Sequence, residues 1–260
     1  KPLGHGYKEL TIPPMKSGKF QIEPNALHIW PRGNHMLIAL PNNDCSFTCT
    51  LFFPMIGKTS FETVKTEKDI FDLFQSQFPD AIKLIPNLVE DFQKNPTGDL
   101  ASVYCKPWHL GGKALLIGDA AHAVAPFFGQ GMNASFQDCS TLAKLIGQNE
   151  NDWNTIFNAF SSTQVENGHA IADMALENYL EMRDHVNDPE YKKRRNMELK
   201  LERMFPDQFI PRYSMVSFHQ IPYAEVYQRG EKQFKIISDV LKADPSGQSI
   251  DKAMVEKMLP

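Results

Sequence analysis

The run Gly118-Asp119-Ala120-Ala121-His122-Ala123-Val124-Ala125-Pro126-Phe127-Phe128-Gly129-Gln130-Gly131-Met132-Asn133 constrains this chain more than any other stretch. It follows the apolar stretch Ala114–Ile117 and leads into a segment with helical apolar spacing. A strand ending in Gly-Asp at the carboxyl edge of an α/β sheet places a carboxylate where such sheets bind ligands. That carboxylate accepts hydrogen bonds and donates none, which suits sugar or ribityl hydroxyls. Gly129-Gln130-Gly131 lets backbone approach a ligand without side-chain obstruction. Just before a helix, the same run presents N–H groups and the positive end of the helix dipole, a match for phosphate or developing negative charge. Pro126-Phe127-Phe128 adds a stiff apolar wall. Together these features indicate a nucleotide cofactor beside an apolar substrate pocket. A merely tight strand-to-helix turn does not require an acid, a proline and two glycines at once.

The totals narrow the field. At 260 residues and 29.5 kDa the chain can bury the core of one large domain or two small ones. Hydrophobic residues at 42% and charged ones at 22% exclude wholesale disorder. A net charge of -4 and a pI of about 6.1 give no electrostatic ground for a nucleic-acid partner. Cys45, Cys49, Cys105 and Cys139 contain no Cys-x-x-Cys pair, and the histidines lack ligand-type spacing. The expectation is reduced thiols in a cytoplasmic setting, with no disulfide and no metal. The longest apolar stretch, Ala114–Phe128, is broken by Asp119, His122 and Pro126, short of the ~20 residues of a membrane span. No signal-peptide pattern is present. The first residue is Lys1, and the opening segment reads as the middle of a domain, so a fragment is expected.

Strand-length apolar runs lie at Tyr7–Ile12, Ala26–Trp30, Met36–Leu40 and Ser46–Phe53, with Arg32-Gly33-Asn34-His35 as a hairpin-like turn. Met36, Ile38 and Leu40 share one strand face, which is either core or the wall of an apolar pocket. Residues 66–94 carry helical spacing, broken at Pro79-Asp80. Further strands are expected over 99–106 and, short and buried, over 113–117. Helix is expected from Gly131 to Ile146, closed by Gly147, and through most of 152–204. Ile171, Ala175, Asn178 and Met182 fall on one helix face. A buried amide without partners costs roughly 1–3 kcal/mol, so Asn178 either bonds nearby backbone or faces a ligand. His122 is either a structural histidine or an acid/base group. Lys192-Lys193-Arg194-Arg195 reads as a solvated helix face, and the last 20 residues as polar and frayed.

Gly118-Asp119-Ala120-Ala121-His122, then Pro126 and Gly129-Gln130-Gly131-Met132-Asn133, resembles the second flavin-binding motif of single-component, FAD-dependent aromatic hydroxylases. Tyr7-Lys8-Glu9-Leu10-Thr11-Ile12-Pro13, Leu27-His28-Ile29-Trp30-Pro31-Arg32 and Asn178-Tyr179-Leu180-Glu181-Met182-Arg183 narrow the resemblance to the kynurenine 3-monooxygenase family, over nearly the whole chain. The fold this implies is mixed α/β: a β-sheet substrate domain, the second half of a Rossmann-like FAD-binding domain, and a carboxyl-terminal helical region. The expected boundaries are 1–105 for the sheet with its helical segment 66–94, 106–150 for the FAD-binding part and 151–260 for the helical region.

The resemblance also implies site residues. Asp119 would bind the FAD ribityl chain, and Met132 and Asn133 would meet the isoalloxazine through backbone, with Gly129 and Gly131 in the same cofactor site. Leu27, Met36, Ile38, Leu40, Phe52, Pro126 and Phe127 would form the apolar substrate pocket. Asn178 and Tyr213 would contact the amino-acid portion of kynurenine. The implied reaction is 3-hydroxylation of L-kynurenine with NADPH and O₂, a step of tryptophan degradation toward NAD biosynthesis, in which no protein side chain acts as a nucleophile. Two alternatives stay open: a flavin hydroxylase acting on a phenolic acid, and a fragment that binds no flavin alone. The Gly-x-Gly-x-x-Gly fingerprint that opens such enzymes is not in this sequence, so the amino-terminal part of the same enzyme is an expected partner. The location implied is cytoplasmic, or the mitochondrial outer membrane if a carboxyl-terminal anchor has been removed.

Overall fold

The computed structural model describes residues 1–149, 152–184, 188–247 and 250–259. The chain divides into two compact units: Pro2–Ala101 with Leu180–Val186, and Ser102–Tyr179 with Asn187–Pro260 and Lys1.

The first unit is an antiparallel sheet of β1 (Pro2–Ile12), β2 (His28–Pro31), β3 (Met36–Pro41), β4 (Phe47–Pro54) and β5 (Gly98–Ala101), in the order β2-β3-β4-β1-β5. The hairpin joining β2 to β3 turns at Arg32–His35, as expected, with Gly33 at φ 74, where a side chain would be strained. Strand alternation splits the sheet into two faces. Leu10, Ile12, Leu37, Ala39, Phe47, Cys49, Leu51 and Phe53 all fall on one face. They pack against Ile70, Leu73 and Phe74 of α1 (Glu67–Gln77), against Phe78, and against Leu88 and Phe92 of α2 (Leu88–Lys94). Thr66 and Asp69 close a capping box at the start of α1. Lys8 also sits on this face, buried. Its ammonium donates to Asn95 O at 2.6 Å and lies 5.3 Å from the Phe92 ring centroid, and burial pulls its pKa down.

In the second unit, β6 (His109–Leu110) and β7 (Ala114–Leu115) form a two-stranded ribbon, followed by α3 (Asp119–His122) and a 3₁₀ turn at Pro126–Phe128. The helices α4 (Gly131–Gln148), α5 (Trp153–Arg183), α6 (Pro189–Met204), α7 (Arg212–Phe218), α8 (Tyr223–Ala243) and α9 (Lys252–Glu256) follow. One apolar core joins α4, α5, α7 and α8 through Ala134, Ile171, Met174, Met215, Val216 and Val226. Another joins α6, α8 and α9 through Met197, Leu201, Ile236, Val240 and Val255.

Three expectations change. The strand expected over 99–106 stops at Ala101: the Val103 N–H donates to Ala123 O at 2.8 Å instead of to a ladder, and Pro107 has no N–H to offer. The strand expected over 113–117 forms only at Ala114–Leu115. Among the described residues it pairs with β6 alone, so Leu116 and Ile117 stay 43% and 37% exposed rather than buried. The polar carboxyl end hides an apolar set, and α9 seats Val255 in the core. Within the helical expectation for 152–204, residues 185–187 lie outside the described residues. The basic run 192–195 lies on α6 largely as read: Lys192 and Lys193 are exposed, while Arg194 covers the Phe234 ring at 5.1 Å.

Candidate functional site

The strand-to-helix run forms the turn its residues predict. Gly118 takes φ 58 and ψ -143, a region open to glycine, and hands the chain to Asp119 at the first position of α3. Asp119 is exposed. A side chain at Gly118 would meet Ser135 Oγ at 3.1 Å, which places the turn against the second turn of α4. Ahead of α4, Gly129 takes φ 65, and a Cβ there would enter open space with nothing within 4 Å. The side chain of Gln130, the residue before α4, does not cap the backbone N–H groups of the helix start. Met132 and Asn133 are exposed in the first turn. An exposed carboxylate, an open glycine and a start to an 18-residue helix without a side-chain cap thus lie within fifteen residues, Asp119 to Asn133. The donor set fits a ligand with hydroxyls at one end and an electron-rich group at the other, as FAD has in its ribityl chain and ring.

Gln130 is spoken for elsewhere. It is buried, and its Oε1 accepts from Tyr223 Oη at 3.0 Å and from Asn133 Nδ2 at 3.1 Å, bracing the first turn of α4 against α8. Burial raises the Tyr223 pKa, which keeps its hydroxyl a donor.

Asn178, on α5, is half-buried and donates from Nδ2 to Phe127 O at 2.7 Å. Nδ2 thus bonds backbone, and the carbonyl it holds is that of Phe127, a residue the resemblance places at the substrate. Phe127 is buried and stacks on Tyr179 with ring centroids 4.1 Å apart, while Pro126 is exposed. Tyr213, the second residue of α7, is 46% exposed and stacks on Phe128 at 5.5 Å. Pro126, Phe127, Asn178 and Tyr213 are thus gathered around one turn, which leads directly into Gly129 and α4.

The remaining pocket residues belong to the sheet unit. Met36, Ile38 and Leu40 stand on the face of β3 opposite Leu37 and Ala39, outside the sheet's core cluster. Met36 is buried, Ile38 half-buried and Leu40 47% exposed. Register sets Phe52 directly across from Met36, with Thr50 and Thr48 facing Ile38 and Leu40. Leu27, just before β2, is 43% exposed. Met36 and Phe52 are buried, whereas Leu40 is open to solvent, so burial along this face falls from Met36 to Leu40.

His122 is buried at 2% exposure, and its Nε2–H donates to Asp138 Oδ2 at 2.7 Å. The sequence reading missed Asp138. The signal was available: Ala134, Asp138, Leu142 and Leu145 recur at helical spacing, and an acid in that stripe needs a partner as Asn178 does.

Comparison with known proteins follows the geometry. The profile of the family described as FAD binding domain matches residues 32–156. Among solved structures, 2,6-dihydroxypyridine-3-hydroxylase from Arthrobacter nicotinovorans superposes with a TM-score of 0.52 at 13% identity, over 74% of this chain and 55% of that one. The tetrameric form of 2-methyl-3-hydroxypyridine-5-carboxylic acid oxygenase gives 0.55 at 16%, over 74% and 52%. The mixed α/β fold is therefore shared with these flavin hydroxylases.

Sequence similarity is closer. Kynurenine 3-monooxygenase of Myxococcus xanthus is 50% identical over 249 residues, 96% of this chain and 53% of the relative. The enzyme of that name from Dictyostelium discoideum is 42% identical over 271 residues, 99% of this chain and 59% of the relative. The resemblance to the kynurenine 3-monooxygenases is borne out along nearly the whole chain, and the chain spans about half the length of the curated relatives it matches.

Proposed function

We propose that this chain serves an FAD-dependent monooxygenase that converts L-kynurenine to 3-hydroxykynurenine, with NADPH and O₂ as co-substrates. The observation that carries the reading is the 42–50% identity to proteins named kynurenine 3-monooxygenase, on a chain whose motif residues fit a flavin. FAD, when bound, supplies the redox chemistry: it takes electrons from NADPH and activates O₂ for insertion into the ring. The protein's own part is binding, orientation and exclusion of water.

Asp119 accepts ribityl hydroxyls, and the backbone amides of Met132 and Asn133 face the ring end of the flavin, with Gly129 and Gly131 keeping the approach open. Asn178 and Tyr213 take the amino-acid portion of the substrate. Phe127 and Pro126 offer its ring apolar surface. We assign the pyrophosphate end of FAD to an amino-terminal part of the same enzyme. We retain the division into a sheet-bearing substrate domain (1–105), the FAD-binding part (106–150) and a helical region (151–260). No helix among the described residues is long and apolar enough to cross a membrane, and we propose a cytoplasmic location.

The test is NADPH consumption and product analysis on the full-length protein. L-Kynurenine is expected to stimulate NADPH consumption and to yield 3-hydroxykynurenine. Hydroxylation of a salicylate-type acid with kynurenine left untouched would move the protein to another branch of the hydroxylases.

A further inference from the structure

Asp138 carries two bonds on one oxygen. Its Oδ2 accepts the Gly118 N–H at 2.8 Å and the His122 Nε2–H at 2.7 Å. Both side chains are out of water, Asp138 at 3% exposure and His122 at 2%. A carboxylate in such a place is tolerated when donors surround it, and these donors come from the two ends of the Gly118–His122 turn. The carboxylate therefore clamps the turn at its first and last residues, with Asp119 held between them.

The clamp rests on a rigid base. The His122 ring lies flat on Trp108, with centroids 5.0 Å apart and planes 25° from parallel. Trp108 is fixed in turn, its backbone N–H on Ser161 Oγ at 3.0 Å and its Nε1–H on Cys105 O at 3.0 Å. His122 Nδ1 has no hydrogen-bond partner among the described residues, so the imidazole makes its polar contact through Nε2. The helix bearing Asp138 also carries Met132 and Asn133 at its start, and Asp138 lies seven residues, or ~10 Å of helix rise, after Gly131. One helix thus sets both the amide end of the site and, through Asp138, the direction in which Gly118 releases Asp119.

We propose that Asp138 is a positioning residue for the flavin end of the site, with His122 as its brace, an inference that rests on the FAD reading above. It touches neither cofactor nor substrate; it acts through the backbone of Gly118, fixing the Asp119 carboxylate relative to the start of α4.

The experiment uses the full-length protein and two variants, Asp138→Asn and Asp138→Leu. The readouts are the FAD dissociation constant, hydrogen exchange at the Gly118 amide without FAD, and the urea midpoint. Asn keeps an acceptor but loses the charge, so FAD binding is expected to weaken about three- to tenfold, with Gly118 exchange faster by a similar factor. Leu removes the acceptor from two buried donors, and a loss of about tenfold to a hundredfold is expected. If the Leu variant does not fold, the Asn variant decides. A lowered urea midpoint in the Asn variant with FAD affinity and Gly118 exchange unchanged shows a merely structural residue and overturns the proposal. Wild-type protein that binds no FAD overturns the cofactor reading and this inference with it. Wild-type binding alongside an unaffected Asn variant overturns the inference alone.

Discussion

Gly168 on α5 sets two physical effects of opposite sign against each other. Replacing a helix-interior glycine by alanine stabilises a helix by about 1 kcal/mol through backbone entropy. At Gly168 the new Cβ would lie 2.8 Å from Trp108 Cη2 and Cζ2 and 3.0 Å from His122 Cβ. Carbon atoms in contact sit at about 3.5–4.0 Å, so the indole must retreat by about 0.7 Å or more. It has little room, because Trp108 is 1% exposed, tied by its two N–H groups, and flanked by His122 and Phe160. Overpacking costs about 1–3 kcal/mol, and with so little room the upper part of that range, about 2–3 kcal/mol, applies before the helix gain of about 1 is subtracted. The packing effect wins, and Gly168→Ala is expected to lose about 1–2 kcal/mol, a fall in melting temperature of about 2–8 °C. The control is Gly147→Ala, near the end of α4, where nothing lies within 4 Å of the new methyl and only the entropic gain of roughly 0.5 kcal/mol remains. Thermal unfolding of the full-length protein at one fixed FAD concentration reads both variants. Gly168→Ala as stable as wild type, or shifted in the same direction as Gly147→Ala, would refute the argument that the Trp108–His122 stack is rigid.

Three other outcomes follow from single groups. Burial, with Arg32 and His5 adding repulsion, pulls the His35 pKa from 6.5 to about 4. Since the folded value lies below the unfolded one, the unfolded chain binds the extra proton, and stability present above pH 6.5 drains away as pH falls toward 4. The shift corresponds to about 3 kcal/mol, and His35→Phe should flatten urea-unfolding stability between pH 7 and 4 by up to that amount; an unaltered slope would show that His35 contributes no acid sensitivity. Thr66→Ala removes one arm of the α1 capping box and should lower stability by about 1 kcal/mol in the same assay, whereas no change would mean that water caps the helix equally well. Asp119→Ala, at an exposed position, should leave the melting temperature of the apoprotein in place while weakening FAD binding about tenfold or more, and undiminished affinity would remove Asp119 from the cofactor site.

What the sequence revealed and what it hid differ in kind. Period-two alternation located the antiparallel strands, with β1 starting five residues before the expected Tyr7, because each strand has one face on the core and its turns are built from Gly, Asn and Asp. The Gly-Asp turn and the glycine-flanked helix start were legible for the same local reason: backbone at Gly118 and Gly129 takes positive φ, and side-chain chemistry marks it. The strand over 113–117 was misjudged because an apolar run records affinity for cover, not the presence of cover. Only β6 lies beside it among the described residues, so two of its apolar residues remain at the surface.

Asn178 and Asp138 show the deeper limit. Each is a polar residue on an apolar helical stripe, and periodicity can say that such a residue needs a partner. It cannot say whether the partner is backbone, a side chain or a ligand, because that choice is made by residues 51 and 20 positions away, Phe127 and Gly118. In both cases one partner is backbone of the Gly118–Gly129 run. The two polar groups, Asp138 buried and Asn178 half-buried, therefore converge on one element, the loop from Gly118 to Gly129, and hold it from opposite ends: Asp138 at the turn that carries Asp119, Asn178 at the carbonyl just ahead of Gly129. A loop rich in glycine loses the most conformational entropy on ordering, and it needs fixed tethers to present a single geometry to a cofactor. The motif supplies the shape that side chains would forbid, and the helices behind it supply the rigidity that glycine cannot.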